Sequence, residues 1–206
     1  ILDNFALEHP DFSRNGAKAI YSLTGYEGIF GYRTQNDIDI AVDDPARPAF
    51  DAKRQAEIEA VKPIIERLKE TGWTFGSHTW GHIRLDSRPL ESIQRDTVRW
   101  AEEVGSLVGP TNILFYPHGG RPDGDDWHTT GPVFQYLQSQ GFRIFASVGI
   151  NSFSHINSDI SAVICDRLHP DGTTLRNGKA LKWYEQFYDA REIIDLDVRP
   201  DLGTTW

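Results

Sequence analysis

Residues 61–82 read Val-Lys-Pro-Ile-Ile-Glu-Arg-Leu-Lys-Glu-Thr-Gly-Trp-Thr-Phe-Gly-Ser-His-Thr-Trp-Gly-His. Val61, Ile64, Ile65 and Leu68 fall on helical spacing, Gly72 stops the run, and Trp73 to Ser77 follows as a short strand. The helix these residues close begins at Pro48 and runs to Glu70, with Ala56 on the same face. Helix, glycine and buried strand in this order are the unit of a parallel sheet. The histidines come directly after the strand.

The same alternation holds in both directions. Upstream, Ile1 to His9 carries Ile1, Leu2, Phe5 and Ala6 and stops at Pro10, which reads as the last turns of a helix. It feeds a strand over Ala17 to Leu23. Gly25 to Asp44 is rich in Gly, Asn and Asp and reads as a long loop. Downstream, Ser87 is a cap for a helix over Pro89 to Leu107. Its apolar set is Leu90, Ile93, Trp100, Val104 and Leu107, with Val98 displaced, and Gly109-Pro110 ends it. Strands follow at Asn112 to Tyr116, Phe142 to Ile150, Ile160 to Cys165 and Glu192 to Leu196, with helices at Val133 to Gln140 and Gly178 to Tyr188. Trp73, Trp100 and Phe145 are core candidates. Five or six such units make a parallel α/β architecture, a barrel or an open doubly wound sheet, and one domain over residues 1–206. Parallel α/β folds place their chemistry at the carboxyl ends of the strands.

Composition limits the partners. The 206 residues hold 30 acidic side chains against 21 Lys and Arg, a formal net charge of −9, which repels phosphate backbones. Nucleic acid is excluded on that ground. A lone Cys165 closes no intrachain disulfide and supplies no Cys-based zinc site. The sequence has no apolar run of membrane-spanning length, and it opens on Ile1-Leu2-Asp3-Asn4-Phe5 with no basic n-region and no initiator methionine, so its start reads as trimmed.

His78 and His82, four residues apart in a glycine-punctuated loop after a strand, can share one divalent ion if the chain between them makes one turn. The opposing reading is a pair of histidines satisfied by backbone groups. No glutamate follows His78, so the metalloprotease motif His-Glu-x-x-His is excluded. His118 also follows a strand, beside Gly119-Gly120, whose amides could receive an oxyanion. Asp123, Asp125 and Asp126 read as a solvated turn or as replacement ligands. Tyr26, Phe30, Tyr32 and Trp80 could stack on apolar sugar faces. His9, His128 and His155 have no supporting pattern.

Gly76-Ser77-His78-Thr79-Trp80-Gly81-His82 resembles the His-(Ser/Thr)-x-x-His metal motif of the polysaccharide deacetylases, the NodB-homology carbohydrate esterases. Ile113 to Gly120 is similar to the family's Arg-x-Pro-Tyr-Gly stretch, with Phe115 where the arginine stands and His118 where the tyrosine stands. Pro10 to Ser13, Gly16 to Lys18 and Gly25 to Gly28 resemble a bacterial branch. The resemblance implies a distorted parallel β/α barrel and a metal-dependent hydrolase that removes acetyl groups, usually N-acetyl, from cell-wall glycan or a chitin-like polymer. It implies His78 and His82 as ligands of a divalent metal, zinc above all, and Thr79 as orienting the loop. Tyr116, Pro117, Gly119, Trp80 and Arg121 are the implied substrate contacts. The implied catalytic acid is His118 or His169, the latter in Leu168-His169-Pro170-Asp171. The family's Asp-Asp pair has no match in this chain, and Asp3 is not it, so the expectation is a first strand upstream of Ile1. A polymer of that class implies an extracellular or cell-surface protein. Two alternatives stand: a non-catalytic glycan-binding relative of the same fold, and an unrelated α/β metalloprotein.

Overall fold

In the computed structural model, residues 1–124, 129–149, 154–172, 184–189 and 192 are described. Helix α1 (Leu2–Glu8) buries no side chain, and its Asp3 pairs with Lys18 at 3.0 Å. Strand β1 (Ile20–Leu23) follows, then a loop with no regular helix or strand, as expected from its glycines. Helix α2 (Arg47–Glu70) has Pro48 in its first turn and Pro63 inside, and turns Ile58, Val61 and Ile65 inward. It ends at Gly72, whose φ of +89° suits glycine; a Cβ there would stand 2.0 Å from the Gly16 carbonyl oxygen. Strand β2 (Thr74–Ser77) leads out of that turn.

Helix α3 (Leu90–Trp100) continues into a π-helical turn over Ala101–Gly105 and the short α4 (Ser106–Val108). The remaining elements are β3 (Ile113–Phe115), α5 (Pro132–Ser139), β4 (Ile144–Gly149), β5 (Ser154–Asn157) and β6 (Ala162–Leu168). The strands form one sheet in the order β1-β2-β3-β4-β6-β5. All neighbours are parallel except β5 and β6. The architecture is therefore α/β with a mostly parallel sheet. Among the described residues the sheet runs from edge strand β1 to edge strand β5 and does not close into a ring.

Alternate strand residues face opposite sides of the sheet, and the two sides differ. Phe75, Leu114, Phe145 and Ile164 face the helices. They join two clusters, one with Val61, Ile65, Trp100 and Val104, the other with Ile93, Val133, Phe134 and Leu137. Ile113, Phe115 and Ala146 form a small separate cluster on the other side, with Ile144 and Cys165 beside it. Among the described residues α2, α3 and α5 all pack on the same face. A doubly wound sheet would place helices on both faces, so this winding is the barrel type.

Three differences from the sequence reading have physical causes. β5 was not expected; Ser-His-Ile-Asn has no apolar alternation, being an exposed antiparallel edge strand. β6 runs on to Leu168 because Asp166 to Leu168 pair with Ser147 to Gly149. β1 starts at Ile20, three residues late. Of the expected strand Glu192 to Leu196 only Glu192 is described, and the start of the expected helix Gly178 to Tyr188 lies outside the described residues.

Candidate metal centre

The carboxyl ends of β1, β2 and β3 build the site. The ladder carries one residue past β2: the His78 backbone N–H donates to the Leu23 carbonyl at 2.9 Å. The His78 ring then turns toward β3, and its Nδ1 lies 2.9 Å from the Phe115 carbonyl oxygen. A carbonyl only accepts, so Nδ1 carries the proton and Nε2 keeps its lone pair. Burial drives the His78 pKa down to about 4, with the backbone bond to Phe115 opposing and His82, Arg167 and His118 adding to the fall. The ring is neutral near pH 7 and fit to ligate.

The turn from Thr79 to His82 is held at several points. Thr79 and His82 adopt φ of +60° and +52°, a left-handed region that costs a non-glycine residue roughly 1–2 kcal/mol. Buried Thr79 donates its N–H to Ser77 Oγ, and its own Oγ1 accepts from the Ile83 N–H at 2.9 Å. Asp96 on α3 accepts from the backbone N–H groups of Trp80 and Gly81, each at 2.7 Å. Burial raises the Asp96 carboxyl above its ordinary value, against the pull of those two amides. The Trp80 carbonyl accepts from Gly25 and Tyr26.

His118 enters from the Pro117–Gly119 turn after β3, exposed and at φ +56°. The His78 and His82 ring centroids are 4.8 Å apart, and those of His82 and His118 4.5 Å, both edge to face. Burial also lowers the His82 pKa, with His118 adding. Three imidazoles therefore line the mouth, from half-buried His78 to exposed His118. Among the described residues no three or more His, Cys, Asp or Glu side chains converge to hold an ion together. The fit to a metal rests on the donor chemistry: two neutral imidazoles in one turn, the first fixed through its other nitrogen.

The other expected contacts are differently placed. Tyr116 is 1% exposed and its ring lies in the helix-side core, so only its backbone borders the site. Pro117 is buried, and Gly119 lies in the turn over Val148. The Gly120 N–H is already donated to the Pro117 carbonyl, which removes it as an oxyanion donor. Trp80 donates Nε1–H to Glu103 at 2.9 Å and lies under Arg99, so it is tied into the scaffold. Phe30 and Tyr32 pack on the core, which leaves Tyr26 the exposed member of the expected sugar platform. His169, directly after β6, has its Nε2 3.8 Å from Asp171. Asp123 accepts from Val133 and Phe134 N–H groups and so caps α5. Asp125, Asp126 and His128 lie outside the described residues.

The sequence reading missed Arg167. Its guanidinium lies 4.8 Å over the Phe115 ring and donates to the carbonyls of Ser147 and Tyr116. The cation on Phe115 thus comes from β6, while Arg121, an implied substrate contact, lies half-buried in the turn after Gly120. A cleft of about 550 Å³ opens at the opposite end of the sheet around Lys69, Trp73 and Asn112, with no histidine or carboxylate in its lining.

The family model described as polysaccharide deacetylase matches residues 49–142, a span that holds His78, His82 and His118 and falls just short of half the chain. A crystal structure of a Mycobacterium smegmatis protein, provisionally named a polysaccharide deacetylase, is similar at 12% identity and a TM-score of 0.40, over 86% of this chain and 74% of that one. None of the curated proteins matches.

Proposed function

We propose, on the match of residues 49–142 to the polysaccharide deacetylase family model, that the chain is a metal-dependent hydrolase that removes acetyl groups, chiefly N-acetyl, from a glycan polymer. The observation that supports it is the grouping of His78, His82 and His118 at the carboxyl ends of β2 and β3, with the His78 Nδ1 proton committed to Phe115. His78 and His82 would hold the divalent metal, for which zinc is the first choice given imidazole donors. When bound, such a metal polarises an acyl carbonyl and lowers the pKa of water.

The chain's own residues supply the rest. The Phe115 carbonyl keeps the His78 tautomer fixed, and Asp96 and Thr79 keep the turn in shape. His118, exposed beside His82, is the group placed to give a proton to the leaving amine, a task for which imidazole is suited near neutral pH. His169 is the second choice for that role because its ring is engaged near Asp171. Exposed Tyr26 would meet a sugar face at the rim. A polymer substrate of this kind sets the protein outside the cell or at its surface.

The test is acetate release from N-acetylated chitooligosaccharides. Purified protein loaded with zinc should release acetate, lose that activity on chelation and regain it with zinc. His78→Ala should lower the rate by a hundredfold or more, the scale expected when a group central to the chemistry is removed. Release that persists in chelator, or in His78→Ala, would refute the reading.

A further inference from the structure

We infer that Asp96, on helix α3, is the positioning residue of the turn from His78 to His82, fixing from outside the turn the geometry with which the two imidazoles meet a metal. The inference rests on the ligand reading above and adds a residue that neither the motif nor the family match assigns.

The geometry is specific. The Asp96 carboxylate spends one oxygen on the Trp80 N–H and the other on the Gly81 N–H, both at 2.7 Å. These are charge-assisted bonds to the two peptide groups midway between the histidines. The two residues flanking those peptides, Thr79 and His82, are the ones in left-handed conformation. Such a conformation persists only where the surroundings over-determine it. Thr79 pins the turn from within through Ser77 and Ile83, but its bonds leave the 80 and 81 amides untouched. Asp96 alone, among the described contacts, reaches both.

Helix α3 is itself fixed, so the clamp has a rigid base. Ile93, three residues before Asp96, is buried in one core cluster, and Trp100, four residues after it, is buried in the other and donates its Nε1–H to the Leu23 carbonyl. One helix face thereby holds the end of β1 through Trp100 and the turn after β2 through Asp96. Groups one step out from a metal that orient its ligands set affinity by about ten- to a hundredfold. Asparagine tests the arrangement well. It keeps the shape but offers one amide oxygen, and its NH2 faces the second backbone N–H.

The experiment compares wild type, Asp96→Asn, Asp96→Ala and His82→Ala as metal-free folded proteins. Zn2+ affinity is measured by competition with a chromophoric chelator, the Co2+ complex by its visible absorption, and the Trp80 and Gly81 amides by hydrogen exchange. Expected are a tenfold or greater loss of Zn2+ affinity in both Asp96 variants, an altered Co2+ spectrum, and faster exchange at those two amides. A merely structural role would lower thermal stability without moving the spectrum. Asp96→Asn carries the test should Asp96→Ala not fold. If the Asp96 variants bind Zn2+ within twofold of wild type while His82→Ala does not bind, the inference fails and the ligand reading stands. If His82→Ala binds as wild type does, the ligand reading fails and takes the inference with it.

Discussion

At the scale of single residues, the site depends on keeping an imidazole neutral where water still reaches it. His78 does this by burial, which pulls its pKa to about 4, while an unfolded histidine titrates near 6.5. Between those values the unfolded chain binds the proton and the folded chain does not, so stability rises with pH through that window and is lost as pH falls from about 6.5 toward 4. His82, lowered in the same sense, adds to the slope. Thermal unfolding of the metal-free protein between pH 4 and 7 should show this fall, and His78→Gln should flatten it. Parallel curves for the two proteins would mean that His78 is protonated as readily folded as unfolded. The pair itself was legible in the sequence, since His-x-x-x-His after a strand is a local pattern. The partners that prepare it were not. Phe115, Asp96 and Arg167 lie 37, 14 and 85 residues from His82 or His78 in sequence, and only the sheet and α3 bring them close.

At the scale of elements, the telling stretch is the end of the third helix. Trp100, Val104 and Val108 are all buried, a series of four-residue steps that overshoots on a regular α-helix and would carry the apolar stripe off the core. The wider π turn over Ala101–Gly105 absorbs the excess. It also brings Glu103 inward, 7% exposed, where it accepts from Trp80 Nε1–H, the Asn36 N–H and Arg99 Nε–H. The sequence showed a helix from 89 to 107 with Val98 out of register, which is the sign of a periodicity under correction. It did not show a buried carboxylate, because Glu-Glu at 102 and 103 reads as a solvated face. Glu103→Ala would leave three donors, one of them the Arg99 cation, short of an acceptor, and breaking a buried pair of this kind costs about 3–5 kcal/mol. A fall of that size in the unfolding free energy from urea titration, with acetate release reduced through a displaced Trp80, is the expected result. Loss under 1 kcal/mol would show that water replaces the carboxylate.

At the scale of the whole molecule, the segregation of the two sheet faces decides where stability and function reside. The alternation of strand and helix was visible from sequence because parallel strands are short apolar runs between amphipathic helices. The choice between barrel and doubly wound sheet was not, since both have that alternation; it took the one-sided packing of α2, α3 and α5 to favour the barrel winding. The helix-side core carries the folding energy, and Phe145 on the central strand β4 is its most enclosed aromatic, 0% exposed and 4.6 Å from the Phe134 ring. Removing it to alanine costs about 3–5 kcal/mol, a large share of the roughly 5–15 kcal/mol that holds a domain folded. Phe145 faces away from the cluster of Phe115 and Ala146 beneath the imidazoles, so its loss should act on stability and leave the site's affinities alone. Phe145→Ala should therefore show a lowered urea midpoint together with a Zn2+ affinity within twofold of wild type when measured below the unfolding transition. A tenfold loss of Zn2+ affinity in the folded variant would mean instead that the helix-side core and the imidazole turn move as one unit, with the sheet transmitting the cavity's collapse to the carboxyl ends of its strands.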